Sequence, residues 1–415
     1  MYCCIKKIAC GGRKQMTTLL NNVNLVQDGN ITSCSLLLHN SLVQSILPQY
    51  SKCIKADTVF DLNGLFLSAG FVDIHVHGGG GHDFMDATKE AYHGASALHL
   101  KHGTTAMVPT TLASSKEELL KTFAIFKSCN GGFQDGAKLL GLHIEGPYIS
   151  KSQCGAQDLR FIRNPEPSEY EELLAACPQI LRWTVAPELD GANSFGDVLC
   201  AHGILPCIGH SEATDAQVVQ AMLHGYTHIT HLYSATSTIV RVKGFRHAGI
   251  VESAYLYNKL TSEIIADGCH LPASLLRMAY QFIGPKRLAL VTDSMRGAGS
   301  ESGESVLGSL KNGQRVILED GVAKLPDLSA FAGSICTTDK LVRNMITLAG
   351  ASLPDAICMM TQTPAEILGI AHQYGRVAVG RIADLVVFDK DINIHMVFKD
   401  GILRFSDNEI GEKKI

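Results

Sequence analysis

From Phe71 onward the chain alternates short apolar runs with longer amphipathic ones, and eight short runs can be counted: FVDIHVH, TTAMVPT, LLGLHIEG, RWTVAPE, ILPCIGH, THITHL, EIIADG and LALVTD. Runs of this length, rich in Val, Ile and Thr, read as strands. The stretches between them, such as ATKEAYHGASALHLKHG and SSKEELLKTFAIFKSC, have helical spacing. Alternation of this kind implies a parallel sheet with crossover helices. Eight units in series predict a closed (β/α)8 barrel of the TIM type, whose reactive groups gather where the strands end. The rival is an open doubly wound sheet, but no glycine-rich phosphate loop follows its first strand.

The two ends of the chain have a different rhythm. LLNNVNLV, SLLLHN, LVQSILP and VFDLNGLFLSAG read as consecutive strands with turns at Asp28-Gly29-Asn30 and Asn63-Gly64. After helices expected near Thr337–Gly350 and Pro354–Leu368, the segment GRVAVGRIADLVVFDKDINIHMVFKDGILRF returns to strand and turn. The simplest assembly joins residues 18–68 and 376–410 in a small β-sandwich and inserts the barrel, residues 69–375, between them. Residues 1–17 carry Lys6, Lys7, Arg13 and Lys14 with no acid before Asp28, and are expected to be an unstructured leader, with Met16 an alternative start.

Composition closes off other classes. A formal charge of −4 and a charged share of 18% give no footprint for nucleic acid. No apolar run approaches the roughly 18 to 20 residues that span a bilayer, so no membrane is expected. The 13 cysteines are odd in number and contain no C-x-x-C pair, which favours a reducing, cytoplasmic setting over a disulfide framework.

The ends of the eight runs carry the chemistry. In GFVDIHVHGG, His75 and His77 are two residues apart on a strand and project to one face. Other run ends supply Glu145 (HIEGPY), His210 (IGHSEAT), His231 (ITHLYSAT) and Asp293 (VTDSMRGAG). A barrel would bring these six groups to one mouth. Four imidazoles and two carboxylates suit zinc, iron, manganese or cobalt. A divalent ion there lowers the pKa of bound water from about 15.7 towards 7, so a hydrolase is expected. His82, His93, His99, His102 and His224 lie in loops or helical patterns and read as packing residues, while Asp86 and Glu90 read as helix-start acids favoured by the dipole.

With these residues in place, HVHGGGG, HIEGPY, GHSEAT, THLYSAT, IIADGCH, LVTDSMRGAG, FAGS and GRIADLVVFD together resemble the N-acetylglucosamine-6-phosphate deacetylases of the amidohydrolase superfamily, from about Leu19 to about Phe405. The resemblance implies removal of acetate from a phosphorylated amino sugar by a homodimer. It implies that Glu145, His210 and His231 hold the principal metal ion and that Asp293 is the general base and acid. Some relatives lack His-x-His and use one ion; the retention of His75 and His77 favours a second, with Glu145 bridging. Arg246 and His270 match positions that grip the sugar phosphate. Ala156, Ser234, Ala235, Asp267, Gly268 and Cys269 match sugar contacts. So do Phe331, Ala332 and Gly333, where glycine permits close approach.

The chain departs from the family pattern at substrate loops only. Ser234-Ala235 stands for the usual Asn-Ala, Arg246-His247-Ala248-Gly249 for Arg-x-Pro-Gly, and Gly155-Ala156-Gln157 for Gly-Ala-His. A different N-acetylated sugar, or another amide, is therefore an alternative substrate. Two further readings compete: a dihydroorotase-like or deaminase-like enzyme, opposed by Glu145 where a bridging lysine would stand, and a non-catalytic scaffold, opposed by the complete ligand set.

Overall fold

A computed structural model describes residues 16–49, 54–129, 131–300, 302–407 and the strand Lys413–Lys414. Residues 1–15, most of the expected leader, lie outside the described residues, and the first strand begins at Thr17.

The eight expected barrel strands form at Phe71–Val76, Thr104–Thr111, Leu142–Glu145, Ile180–Val185, Leu205–Ile208, His228–Ile229, Thr261–Ile264 and Leu288–Leu290. Each lies parallel to the next in chain order. The ring draws shut where the Asp293 N–H, just beyond the eighth strand, donates to the His75 carbonyl at 2.9 Å. Every residue of the first three strands is buried, as expected for strands faced by helices outside and side chains within.

The crossover helices start where their sequences can cap them. Lys89–Lys101 follows Thr88, whose hydroxyl accepts the Ala91 N–H, and Lys116–Ser128 follows Ser115, which accepts from Glu118. Glu90 sits in the first turn as expected. Asp86 does the same in a short 3-10 turn, where it completes a capping box by accepting the Asp83 N–H at 3.2 Å, and it also pairs with Arg296 at 2.7 Å. The single helix expected over Pro354–Leu368 is two, Leu353–Met360 and Gln362–Ile367. Thr361 leaves helical geometry between them, and Pro364 brings no N–H to carry the ladder through.

The terminal segments build one sheet, because Leu385–Phe388 pairs antiparallel with Phe66–Ala69. Thr17–Gln27 pairs in parallel with Thr58–Asp61 through its first half and with Phe66–Ala69 through its second, across a bulge between Leu20 and Val23. The bend wraps the sheet around Leu20, Val23, Leu36, Leu67, Leu385 and Phe398. Lys138 ties this sheet to the barrel through Asp384 and Asp400, at 2.9 and 2.7 Å.

Two elements were not anticipated: a four-stranded antiparallel sheet spanning Gly303–Ser334, inserted after the eighth barrel strand, and an exposed hairpin of Val240–Val242 and Phe245–His247. The first folds over the barrel mouth, where the Met295 N–H donates to Ser334.

His99 bears out its reading as a packing residue. Its ring is buried, with Nε2 2.9 Å from the Gly78 carbonyl, and burial lowers its pKa to about 4. Between pH 6.5 and 4 the unfolded chain takes a proton that the folded chain refuses, so stability falls as pH falls through that window. The size is about 3 kcal/mol at about 1.4 kcal/mol per unit. Denaturant titrations from pH 7 to 4 should lose that much more stability in the parent than in His99→Gln; parallel curves would remove His99 as the cause.

Candidate metal centre and active-site cavity

The strand ends do what the pattern requires. His75 lies within the first strand, His77 one residue past it, and Glu145 closes the third. His210, His231 and Asp293 follow the fifth, sixth and eighth strands, each with positive φ, at 48°, 27° and 46°. Left-handed backbone is uncommon for such residues, and its concentration here turns all three side chains inward where the strands stop.

The six groups meet around Glu145. Its Oε1 lies 3.3 Å from His75 Nε2, 3.2 Å from His210 Nε2 and 2.9 Å from His231 Nε2. Its Oε2 lies 3.2 Å from His77 Nε2, and Asp293 Oδ1 is 3.1 Å from the same nitrogen. All six are buried, the most exposed being Asp293 at 8%.

The tautomers can be read from the outer partners. His210 Nδ1–H donates to the Gln153 carbonyl at 2.8 Å, and His231 Nδ1–H to the Ser234 carbonyl at 3.0 Å. A carbonyl only accepts, so the proton sits on Nδ1 and the Nε2 lone pair faces inward. His75 is held likewise, Nδ1 lying 2.7 Å from Glu263. His77 Nδ1 is buried without a partner among the described residues.

Imidazole nitrogens facing two carboxylates form a candidate cation site. Two groups have ligand atoms all within 4.8 Å of one another, His75–Glu145–His231 and His75–His77–Asp293. This oxygen and imidazole set fits a divalent transition ion. The charges agree. Burial raises the carboxyl of Glu145, but His75, His210 and His231 outweigh it and hold the group well below the usual range. Burial likewise opposes ionised Asp293, and His75 and His77 overcome it. For His77, burial pulls the imidazole down, but Asp293 and Glu145 drive it up to about 9.

A cavity of about 220 Å³ opens onto these groups. Ala156, Ser234, Ala235, His270, Phe331 and Gly333 line it. Gly333 has φ +73°, and a Cβ there would fall 2.8 Å from the Asp293 carbonyl, so glycine lets this strand pass. The His270 ring packs edge-on to Phe331 at 5.0 Å.

Other expected contacts do not reach the cavity. Asp267 is not among the lining residues; it accepts from the backbone of Cys269 and from both the backbone and ring of His270, and so orients His270. Gly268, Cys269 and Ala332 are neighbours of the lining and not part of it. Arg246 stands in the exposed hairpin, with its guanidinium near the Gly244 carbonyl at 3.4 Å. That hairpin leaves the barrel, so a match in the sequence does not place the side chain in the mouth of its own chain.

Sequence reasoning missed what holds Glu145. Gln157 accepts the Ala113 N–H at 2.7 Å, which fixes its amide, and donates from Nε2 to Glu145 Oε2 at 2.7 Å. Removing this charge-assisted bond by Gln157→Ala should lower kcat about 10-fold, at about 1.4 kcal/mol. An unchanged kcat in acetate-release kinetics would show that the amide does not matter.

Comparison with known proteins agrees with the geometry. The amidohydrolase family profile matches residues 66–403. The chain is 33% identical over 370 residues to an N-acetylglucosamine-6-phosphate deacetylase of Lysinibacillus sphaericus, covering 87% of this chain and 92% of that one. The solved N-acetyl-D-glucosamine-6-phosphate deacetylase of Mycobacterium smegmatis superposes with a TM-score of 0.84 at 30% identity, over 94% of this chain and 99% of the other. The Pasteurella multocida enzyme of that name gives a TM-score of 0.87 at 26% identity, over 94% and 100%. A barrel with imidazole and carboxylate donors at its strand ends and likeness over nearly the whole chain leave one assignment: the chain belongs to the amidohydrolase family, beside its N-acetylglucosamine-6-phosphate deacetylases.

Proposed function

We infer that the chain hydrolyses the acetamide of N-acetyl-D-glucosamine 6-phosphate, giving glucosamine 6-phosphate and acetate in the breakdown of amino sugars. The observation that carries this is the Glu145 carboxylate ringed by the Nε2 atoms of His75, His210 and His231, with Asp293 at the same mouth. Relatives bearing that activity in their names support the substrate.

Glu145, His210 and His231 would hold one ion, and His75, His77 and Asp293 a second, with Glu145 between them. Zinc, iron, manganese or cobalt suits the donors. When bound, a divalent ion supplies a Lewis acid that makes water more acidic and polarises the acetamide oxygen. Asp293 moves the protons. Its carboxylate takes one from water as the water oxygen attacks the carbonyl carbon, and returns it to nitrogen as the C–N bond breaks. The nitrogen leaves as the neutral amine and the acyl carbon as acetic acid, whose remaining proton passes to solvent or to the amine to give acetate. The Phe331 face, the backbone at Ser234–Ala235 and the His270 ring would hold the sugar.

One observation favours a second substrate. Among the described residues, no Lys or Arg lines the cavity, so imidazoles are its only side chains able to carry positive charge toward a phosphate. An N-acetyl amino sugar without phosphate is that alternative. The test is acetate release from N-acetylglucosamine with and without the 6-phosphate, with metal content measured on the same sample. Release confined to the phosphorylated sugar is the expected result. Equal rates would favour the alternative, and no release from metal-loaded protein would overturn both.

A further inference from the structure

Under the ion-binding groups the barrel holds a second polar layer that hydrolysis leaves unused. Barrel interiors are filled mainly by Val, Ile and Leu. Here Glu263 of the seventh strand and Arg182 of the fourth are both fully buried and form an ion pair. Buried charges are costly unless well paired and hydrogen-bonded.

Glu263 comes close to meeting that condition. Its Oε2 faces Arg182 and lies 3.0 Å from His228 Nε2, and its Oε1 lies 2.7 Å from His75 Nδ1 and 3.4 Å from the His231 backbone nitrogen. Arg182 adds bonds to the Ile74 carbonyl and the Thr230 hydroxyl, both at 3.2 Å. The Thr261 hydroxyl engages His228 Nδ1 at 2.8 Å. Neither charge lines the cavity; of the ligand side chains, only His75 touches the pair.

That contact has a direction. A carboxylate at Nδ1 accepts the ring N–H and leaves the Nε2 lone pair free. His75 Nε2 then points at Glu145, Asp293 and His77, at 3.3, 3.4 and 3.3 Å. Its neighbour His77 has no such anchor on Nδ1 among the described residues.

We propose that the buried Glu263–Arg182 pair is a positioning device that locks His75 with its Nε2 lone pair toward the cavity, and that it sets whether the centre holds two divalent ions or one. This rests on the metal-dependent reading above. Arg182 keeps the charge on Glu263 compensated, Glu263 fixes the ring, and the ring completes the group of His75, His77 and Asp293.

The test is a zinc titration of the full chain, with bound zinc counted after gel filtration and folding checked by circular dichroism and thermal unfolding. The parent should bind two zinc ions. Glu263→Gln with Arg182→Met removes both charges at similar volume; it should keep the tighter ion and weaken the second about 10- to 100-fold. Glu263→Asp keeps the charge for Arg182 but draws it back from His75, and should show the same selective loss should the double variant fail to fold. A cycle with His75→Asn separates positioning from a general structural role: once His75 is gone, removing the pair should cost no further second-site affinity. Full two-ion binding by a folded variant, additive losses in the cycle, or a parent that takes up one zinc ion would each overturn the proposal. Acetate release is scored separately, so an inactive parent that still shows this pattern would count against the hydrolytic reading and not against the device.

Discussion

Asp293→Asn should reduce kcat for acetate release about 10²- to 10⁴-fold, the range that a positioned acid and base contributes. The substitution keeps the shape and removes the ability to accept a proton. Asp293 meets His75 Nε2 and His77 Nε2 at 3.4 and 3.1 Å, whereas Glu145, His210 and His231 converge without its help. The variant should therefore retain its tighter ion, and KM should change little because proton transfer belongs to the transition state. Steady-state kinetics paired with metal analysis decides the matter. Turnover within a few-fold of the parent would end the proton-transfer role; loss of all bound metal would show that Asp293 acts as a ligand first.

Glu145→Ala should have the larger effect, because one carboxylate serves five partners: four imidazoles and the Gln157 amide. Without it, the crowded histidines lose the charge that raises His75 and His77. Bound metal should fall below detection and activity with it. Unfolding gives an independent readout. At free zinc about 1,000-fold above its dissociation constant, the parent should gain about 4 kcal/mol of stability, and the variant almost none. A variant whose melting temperature still climbs with zinc would show that Glu145 is not the hub of the centre.

The meeting of the six groups was legible because they sit at strand ends. Period-two spacing puts His75 and His77 on one face, and a series of eight strands has a closed form that gathers its ends. Glu145, His210, His231 and Asp293 needed nothing further. Arg246 shows the limit: whatever its motif suggests, its place on an exposed hairpin depends on where that loop travels. The Gly303–Ser334 sheet was overlooked because its short strands and glycine turns look like an ordinary long connection until they pair.

Glu263 and Arg182 mark the boundary between the two kinds of knowledge. Each opens its apolar run with no local signal of a partner, and they stand 81 residues apart. The order of strands and the residue types at their ends belong to the sequence, since both follow from periodicity and from the chain direction of a parallel barrel. Which buried charge faces which imidazole, how Gln157 turns its amide and whether a loop enters the mouth were settled only by folding. Those choices depend on distances between distant segments, and no spacing along the chain encodes them.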